Sequence, residues 1–389
     1  MMMHPARPDY SAAKRPLIVG YYGMQNVGDD AFCVVLDWAL KTYWGSEMPM
    51  FAAPPLIDLP AEQFRLKPSH FRSSGPLGRA GRLARKVALL RHASMLLFGG
   101  GSVFRDMGPL SEKRLFCWWS HLSRQPIAAV GVSVGPFVSA RAKSRLARVL
   151  QRAAYVAVRD AASMERLREV GYGGSVVRAA DLVGLLPEAL GENMPERTPS
   201  SDAPRRRLGV TLLGVNDVLP DEVRTRREQV LIEGIRSFVR SDDIDVTILV
   251  FNTHAQRGDR GPSDRLASAL RGVCDVRIVT AQDGVRAVWS EVKQCDAGLH
   301  MRLHGAVFAY LAGSPFALVP YHSKCSDFLH EIGQPRSRIL PSVPNRPEEI
   351  HRVLGDLFLD ASAPQLARRE FADRARLNFT SAPWARNDG

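Results

Sequence analysis

Asp296-Ala297-Gly298-Leu299-His300-Met301-Arg302-Leu303-His304-Gly305-Ala306-Val307-Phe308-Ala309-Tyr310-Leu311-Ala312 is the stretch on which the reading of this chain turns. A short apolar run of strand character gives way to an apolar pattern of helical length, and Arg302 and His304 stand at the junction. A strand end that opens into a helix N-terminus is where an α/β protein best holds an anion, because unpaired backbone N–H groups converge there. Polar groups between two apolar elements are expensive to leave unmatched. Something anionic therefore meets them, either a ligand or an internal carboxylate.

The same alternation extends outward in both directions. In the second half, residues 208–213, 246–251, 276–279, 296–299 and 316–319 read as strands mostly separated by helical spans. In the first half, residues 17–21, 95–98, 127–131 and 155–158 do so, each followed by a short loop of Gly, Ser, Asn or Asp and a helix-compatible stretch. Between the halves, residues 188–206 are rich in Pro, Ser and charge and carry no periodic apolar positions, which predicts a linker. The expected fold class is α/β, with Rossmann-like domains at 16–187 and 207–360 facing a cleft. A disordered basic tail is expected over 1–15 and a helical tail over 361–389.

Length and charge narrow the function. The 389 residues suffice for two separate cores, and the net charge of +12 points to an anionic partner: nucleic acid, an acidic membrane surface or a phosphorylated small molecule. Nucleic acid is disfavoured, since the cations lack the aromatic interleaving of single-strand binders and no recognition-helix motif is present. The five cysteines stand far apart without metal-ligand spacing, and read as reduced packing residues. No metal is expected. The first residues lack the apolar core of a signal peptide, and no apolar stretch reaches the roughly 18 residues of a membrane span, so a cytoplasmic protein is expected.

Several strand-end loops carry candidate chemistry. Asn26-Val27-Gly28-Asp29 follows the first strand, and reads either as a turn with a helix cap or as a contact with a sugar hydroxyl; its spacing is not the dinucleotide fingerprint. Gly99-Gly100-Gly101-Ser102, with Asp106 beyond it, follows the second strand candidate and marks either a close ligand or close packing. Ser133-Val134-Gly135-Pro136 and Arg159-Asp160-Ala161-Ala162-Ser163 follow the next two. Arg159 either binds a ligand or pairs with a carboxylate of its own domain. In the second half, His254 lies in the loop from Asn252 to Asp259, as a lining residue or a plain surface one.

Taken in order, Asn26-x-Gly28-Asp29, the triple glycine with Ser102 and Asp106, Ser133-x-Gly135-Pro136, Arg159-Asp160-x-x-Ser163, Ala180-Asp181 and Arg302-Leu303-His304 resemble the polysaccharide pyruvyl transferase family. The resemblance runs from about Leu17 to Gly333. It implies a GT-B-like architecture, a role in exopolysaccharide biosynthesis, and transfer of the enolpyruvyl unit of phosphoenolpyruvate onto two hydroxyls of a sugar, giving a pyruvate ketal and phosphate without a cofactor. It further implies that Arg302 and Arg159 bind the donor's carboxylate and phosphate, assisted by backbone amides after Leu303, and that His304 serves as general acid and base. Asp106 and the loop of Asn26, Gly28 and Asp29 would orient the acceptor, with Gly100, Gly101, Ser102, Ser133 and His254 lining the site and Lys324 reaching the phosphate. The sequence departs from the family at Tyr321-His322-Ser323-Lys324, where members often carry an acid and Pro before the Lys.

Two other readings compete: a nucleotide-sugar glycosyltransferase of the same architecture, and a non-catalytic protein that binds anionic surfaces. A basic, partly apolar run from Arg79 to Arg91 has near-helical spacing, compatible either with a solvated helix face or with peripheral contact on an anionic membrane at the cytoplasmic leaflet, where a lipid-linked acceptor would be found.

Overall fold

The computed structural model describes residues 13–67, 69, 76–104, 112–137, 139–196, 205–215, 219–359 and 362–386. Residues 1–12 of the expected tail, Asp106, and residues 197–204 of the expected linker lie outside the described residues. The described chain divides into two units. The first takes residues 13–23, Phe32–Ala189 and the residues from Ala372 on; the second takes Met24–Ala31 and Leu190–Phe371.

Six parallel strands build the first unit: β1 (Pro16–Val19), β2 (Met50–Phe51), β3 (Met95–Phe104), β4 (Ile127–Val134), β5 (Tyr155–Val158) and β6 (Val176–Arg178), in the order β2-β1-β3-β4-β5-β6. Every residue of β1, β4 and β5 is buried, which explains why these strands read as continuous apolar runs rather than alternating ones. The short edge strands β2 and β6 carry no comparable run and are additions to the sequence reading.

The triple glycine is not a loop but part of β3, which continues to Phe104 through a register shift after Gly101. Gly100 and Gly101 take φ of +69° and +76°. A Cβ on Gly99 would lie 2.4 Å from Leu36 Cδ1, and one on Gly100 2.6 Å from Phe32 Cγ. These glycines admit the side chains of the helix Val27–Trp44 against the strand, and the backbone bends as a bulge to do so.

The stretch 361–389 is helical from Arg368 to Thr380, and its residues from Ala372 are built into the first unit. Asn378 is fully buried: its Oδ1 accepts from Gly131 N at 2.6 Å and its Nδ2 donates to Ala180 O at 3.0 Å. Phe379 packs between Tyr43 and Trp44, and Arg376 bonds Glu188 at 2.7 Å.

The second unit is a five-stranded parallel sheet of β7 (Arg206–Thr211), β8 (Ile244–Val250), β9 (Val276–Thr280), β10 (Ala297–His300) and β11 (Phe316–Leu318), ordered β11-β10-β7-β8-β9. The chain moves outward from β7 to β9 and then returns to β10 on the other side of β7. The loops after β7 and β10 therefore part, leaving a crevice at their carboxyl ends. Residues 24–31 join this unit at the same end: Asn26 bridges Asn252 antiparallel, Val27 N donates to Phe251 O at 2.9 Å, and Thr253 N donates to Gln25 O at 2.9 Å.

Burial raises the Cys117 and Cys295 thiols to about 12, consistent with packing rather than thiolate chemistry. Gly100→Ala is expected to lower the unfolding free energy by roughly 2–4 kcal/mol, since it adds a clash with Phe32 to an unfavourable φ. A melting temperature equal to that of the unmodified protein would contradict this packing role for the glycines.

Candidate functional site

The switch point of the second sheet holds the Arg302-Leu303-His304 turn. Arg302 occupies the N-cap position of the helix Leu303–Ala312, and every residue of that helix except His304 is buried. The turn is fastened from β7. Thr211 Oγ1 accepts from Met301 N and Arg302 N, both at 3.2 Å, and lies 3.3 Å from His300 Nδ1. Gly305 lets the helix approach this contact, because a Cβ there would stand 2.9 Å from Thr211 Oγ1 and 3.0 Å from His300 Nδ1. His300 is buried, and burial pushes its imidazole down to about 3, so it is neutral.

The internal carboxylate that the sequence left open is Asp259. Its side chain is fully buried and accepts from Arg302 Nε at 2.8 Å and from Arg302 Nη2 in a bidentate pair. Gly214 N at 2.9 Å and Asn252 N at 3.0 Å complete its shell. Burial works against the charge on Arg302, but the charge and hydrogen bonds of Asp259 outweigh it, with Tyr321 and Asp29 adding to the effect, and the guanidinium pKa is raised. Arg302 is thus held as a permanent cation in a fixed orientation.

His304 faces the first motif of the chain. A Cβ on Gly28 would lie 2.2 Å from His304 Nδ1 and 2.7 Å from its Cβ, so only glycine lets the helix Val27–Trp44 begin against this imidazole. Asn26 shapes that beginning: its Nδ2 donates to Asp29 Oδ2 at 2.5 Å, its Oδ1 accepts from Gly28 N at 3.3 Å, and its carbonyl accepts from Asp29 N and Asp30 N. Asn26, Gly28, Asp29, Arg302 and His304 therefore belong to one locality, although residues 30–301 separate the two groups in sequence.

The remaining second-unit candidates are more peripheral. His322 caps the helix Ser323–Ile332, its Nδ1 accepting from Lys324 N at 3.3 Å. A neutral imidazole lone pair does there what a carboxylate oxygen would do. Lys324 Nζ lies 5.3 Å from the centroid of Tyr321. His254 is exposed and folds its own loop, with Nδ1 accepting from Gln256 N at 3.2 Å and Arg257 N at 3.3 Å. A cavity of about 290 Å³ opens beside the turn, lined by Leu213, Gly214, Arg227, Gly258, Arg265 and Met301 among others, but neither Arg302 nor His304 lines it.

In the first unit, three motifs converge on a second network. Arg159 is buried at the end of β5, donating from Nε to Ser133 Oγ at 2.6 Å and from Nη1 to Asp181 Oδ2 at 2.7 Å. Ser133 Oγ donates to Asp160 Oδ2 at 2.8 Å, Asp160 caps the helix Ala161–Glu169 by accepting from Ser163 N, and Ser163 Oγ accepts from Val134 N. Asp181 is thus the carboxylate of its own domain with which Arg159 pairs. Gly100 is packed under Phe32, while Ser102 is exposed on β3.

Sequence reasoning missed Asp259, Thr211, His300 and Asn378. Asp259 stood in a loop singled out for its histidine. The only signal for it was an acid just before a helical pattern, where it reads as an ordinary cap. Among the described residues no group of three or more His, Cys, Asp or Glu could hold a metal ion.

Comparison with solved structures defines the class as a GT-B-like pair of Rossmann-like units. The chain superposes on a putative UDP-N-acetylglucosamine 2-epimerase from Listeria monocytogenes with a TM-score of 0.59 at 10% identity, covering 98% of this chain and 92% of that one. A UDP-GlcNAc 2-epimerase from Methanocaldococcus jannaschii gives 0.59 at 10% identity, covering 93% and 98%. At this identity the likeness shows the fold alone. The sequence profile of polysaccharide pyruvyl transferase matches residues 26–323, from the Asn26 motif through the Arg302-Leu303-His304 turn, and the chain belongs to that family. The amylovoran biosynthesis protein AmsJ of Erwinia amylovora is 24% identical in an alignment of 262 positions that covers 61% of this chain and 59% of that relative. The chain thus spans about three-fifths of the length of AmsJ.

Asp259→Asn is expected to cost about 3–5 kcal/mol in urea unfolding, because it leaves the Arg302 charge buried without its counter-charge. Asp259→Leu combined with Arg302→Met should recover part of that loss. His300 adds a pH dependence: the unfolded chain takes up a proton below about pH 6.5, while the folded form resists it down to about pH 3. Stability from this group is complete above the unfolded value and falls by about 2 kcal/mol between about pH 7 and about pH 5, a slope that His300→Gln should remove.

Proposed function

We propose that the protein transfers the enolpyruvyl unit of phosphoenolpyruvate to a saccharide, forming a pyruvate ketal and releasing phosphate. Family membership supports a pyruvyl transferase, and the name of its relative AmsJ supports an acceptor in bacterial exopolysaccharide synthesis. The observation that carries the reading is the geometry of one turn: Arg302 is locked by Asp259, and His304 beside it lies against Gly28.

The donor is small and carries about three negative charges, so it needs fixed cations and oriented N–H groups. Arg302 commits Nε and Nη2 to Asp259, which leaves its Nη1 edge for the donor carboxylate or phosphate. The first N–H groups of the helix Leu303–Ala312 lie beside it and favour the same charge. Lys324 and Tyr321 flank the site as lesser contributors.

The chemistry needs one group to give and then take a proton. As the first sugar hydroxyl attacks C2 of the donor, the methylene carbon gains a proton and becomes a methyl group. Phosphate leaves, the second hydroxyl attacks the same carbon and loses its proton, and the ketal closes. All three donor carbons are kept, and the two hydroxyl protons end on the methyl group and the phosphate. His304 serves as the acid and then the base, since an imidazole can both give and accept a proton. Asn26 and Asp29 supply the acceptor's hydrogen bonds, in keeping with their amide and carboxylate groups at the mouth of the turn.

His304→Ala should lower phosphate release from phosphoenolpyruvate by about 10²–10⁴ while thermal stabilisation by the donor persists. Arg302→Ala should lose both. Stabilisation by UDP-sugars in place of phosphoenolpyruvate would overturn the assignment.

A further inference from the structure

Between Pro76 and Arg124 the sequence holds nine Lys or Arg residues against two Asp or Glu, a concentration of the chain's positive charge in one stretch. The described residues of this stretch form β3 and, on either side of it in sequence, two helices, Pro76–Leu90 and Glu112–Leu122, which pack against one another; Arg105 and Asp106 lie outside the described residues. Leu83, Val87 and Leu89 turn toward the core, where Leu90, Phe116 and Cys117 are buried.

The outward side of the pair has an unusual composition. Trp118 is 55% exposed and Leu122 is 65% exposed, four residues apart on one helix and so on one face. A single exposed apolar side chain is ordinary, but a Trp and a Leu side by side form a ridge that water solvates poorly. On the same pair of helices, Arg85 of Pro76–Leu90, and Arg91 and Arg124 just past the two helix ends, are exposed and make no ion pair among the described residues. Elsewhere on the surface Arg168, Arg224, Arg260 and Arg265 each hold a carboxylate. Arg91 instead lies over the ring of Trp119 at 5.4 Å, and Glu112, the acid of the helix Glu112–Leu122, is taken by Lys86.

We propose that this face docks on an anionic lipid bilayer. Trp118 and Leu122 enter the boundary between headgroups and acyl chains, where indole rings are favoured, and Arg85, Arg91 and Arg124 meet the lipid phosphates. Charge complementarity selects this occupant. A second copy of the chain would bring the same cations against themselves, whereas a bilayer of anionic lipid offers phosphate wherever a cation lands. The inference stands independently of the donor assignment, since none of these residues takes part in the proposed transfer.

Co-sedimentation of the full chain with phosphatidylcholine vesicles, with and without phosphatidylglycerol, tests it. Binding is expected only with the anionic lipid and should weaken with salt. Arg85→Gln and Arg124→Gln should each weaken it about fivefold, and Trp118→Ser and Leu122→Ser about tenfold each or more. These side chains are exposed, so unchanged melting temperatures will confirm that the variants fold. Equal binding to neutral vesicles, or binding indifferent to Trp118→Ser with Leu122→Ser, would overturn the proposal. So would a change of oligomeric state in that double variant with vesicle binding intact, which would make the face a contact between copies.

Discussion

The buried pair of Asp259 and Arg302 is the constraint on which the functional end of this protein depends. A carboxylate withdrawn fully from water survives only when its lone pairs are filled, and Asp259 fills them with two guanidinium N–H groups and two backbone N–H groups. Those partners come from three different strand ends: Gly214 beyond β7, Asn252 beyond β8 and Arg302 beyond β10. One side chain thus ties together the loops that the strand order separates. The cation it holds is oriented before any ligand arrives, which is what tight anion recognition requires.

Around that pair, small residues and a hydroxyl remove the remaining freedom. Thr211 takes up the N–H groups of Met301 and Arg302, neutral His300 backs the threonine, and Gly305 admits the helix onto both. Gly28 performs the corresponding task on the far side of the imidazole of His304. The apolar helix Leu303–Ala312 has little polarity of its own, so its N-terminal N–H groups and the side chains of Arg302 and His304 are the polar groups at this end of it. Arg159 in the first unit follows the same logic, with Asp181 and Ser133 fixing it at the end of β5.

Much of this was legible in the chain. Buried parallel strands announce themselves as apolar runs, and nine of the eleven strands among the described residues were legible in the sequence, most of them on that ground. The two that were not, β2 and β6, are edge strands of two and three residues, too short for any pattern. The Arg302-Leu303-His304 turn was readable because charge between two apolar elements demands an explanation, and the order of motifs named the family. Asp259 was not, because an acid before a helix looks the same whether it caps that helix or holds an arginine from a distant strand. The triple glycine was ambiguous for a similar reason: the need for a missing Cβ is visible in sequence, but whether Phe32 or a ligand fills the space is not. The return of residues from Ala372 into the first unit depends on Asn378 and Phe379 finding partners across most of the chain, and nothing local encodes that.

The central claim is that this turn handles phosphoenolpyruvate rather than a nucleotide sugar. Incubating the protein with phosphoenolpyruvate and a panel of saccharides, while following acceptor mass and inorganic phosphate together, tests it most directly. The account predicts an acceptor heavier by one carboxyethylidene unit, with one phosphate released for each. Transfer of a sugar from a nucleotide donor, with phosphoenolpyruvate left intact, would contradict it.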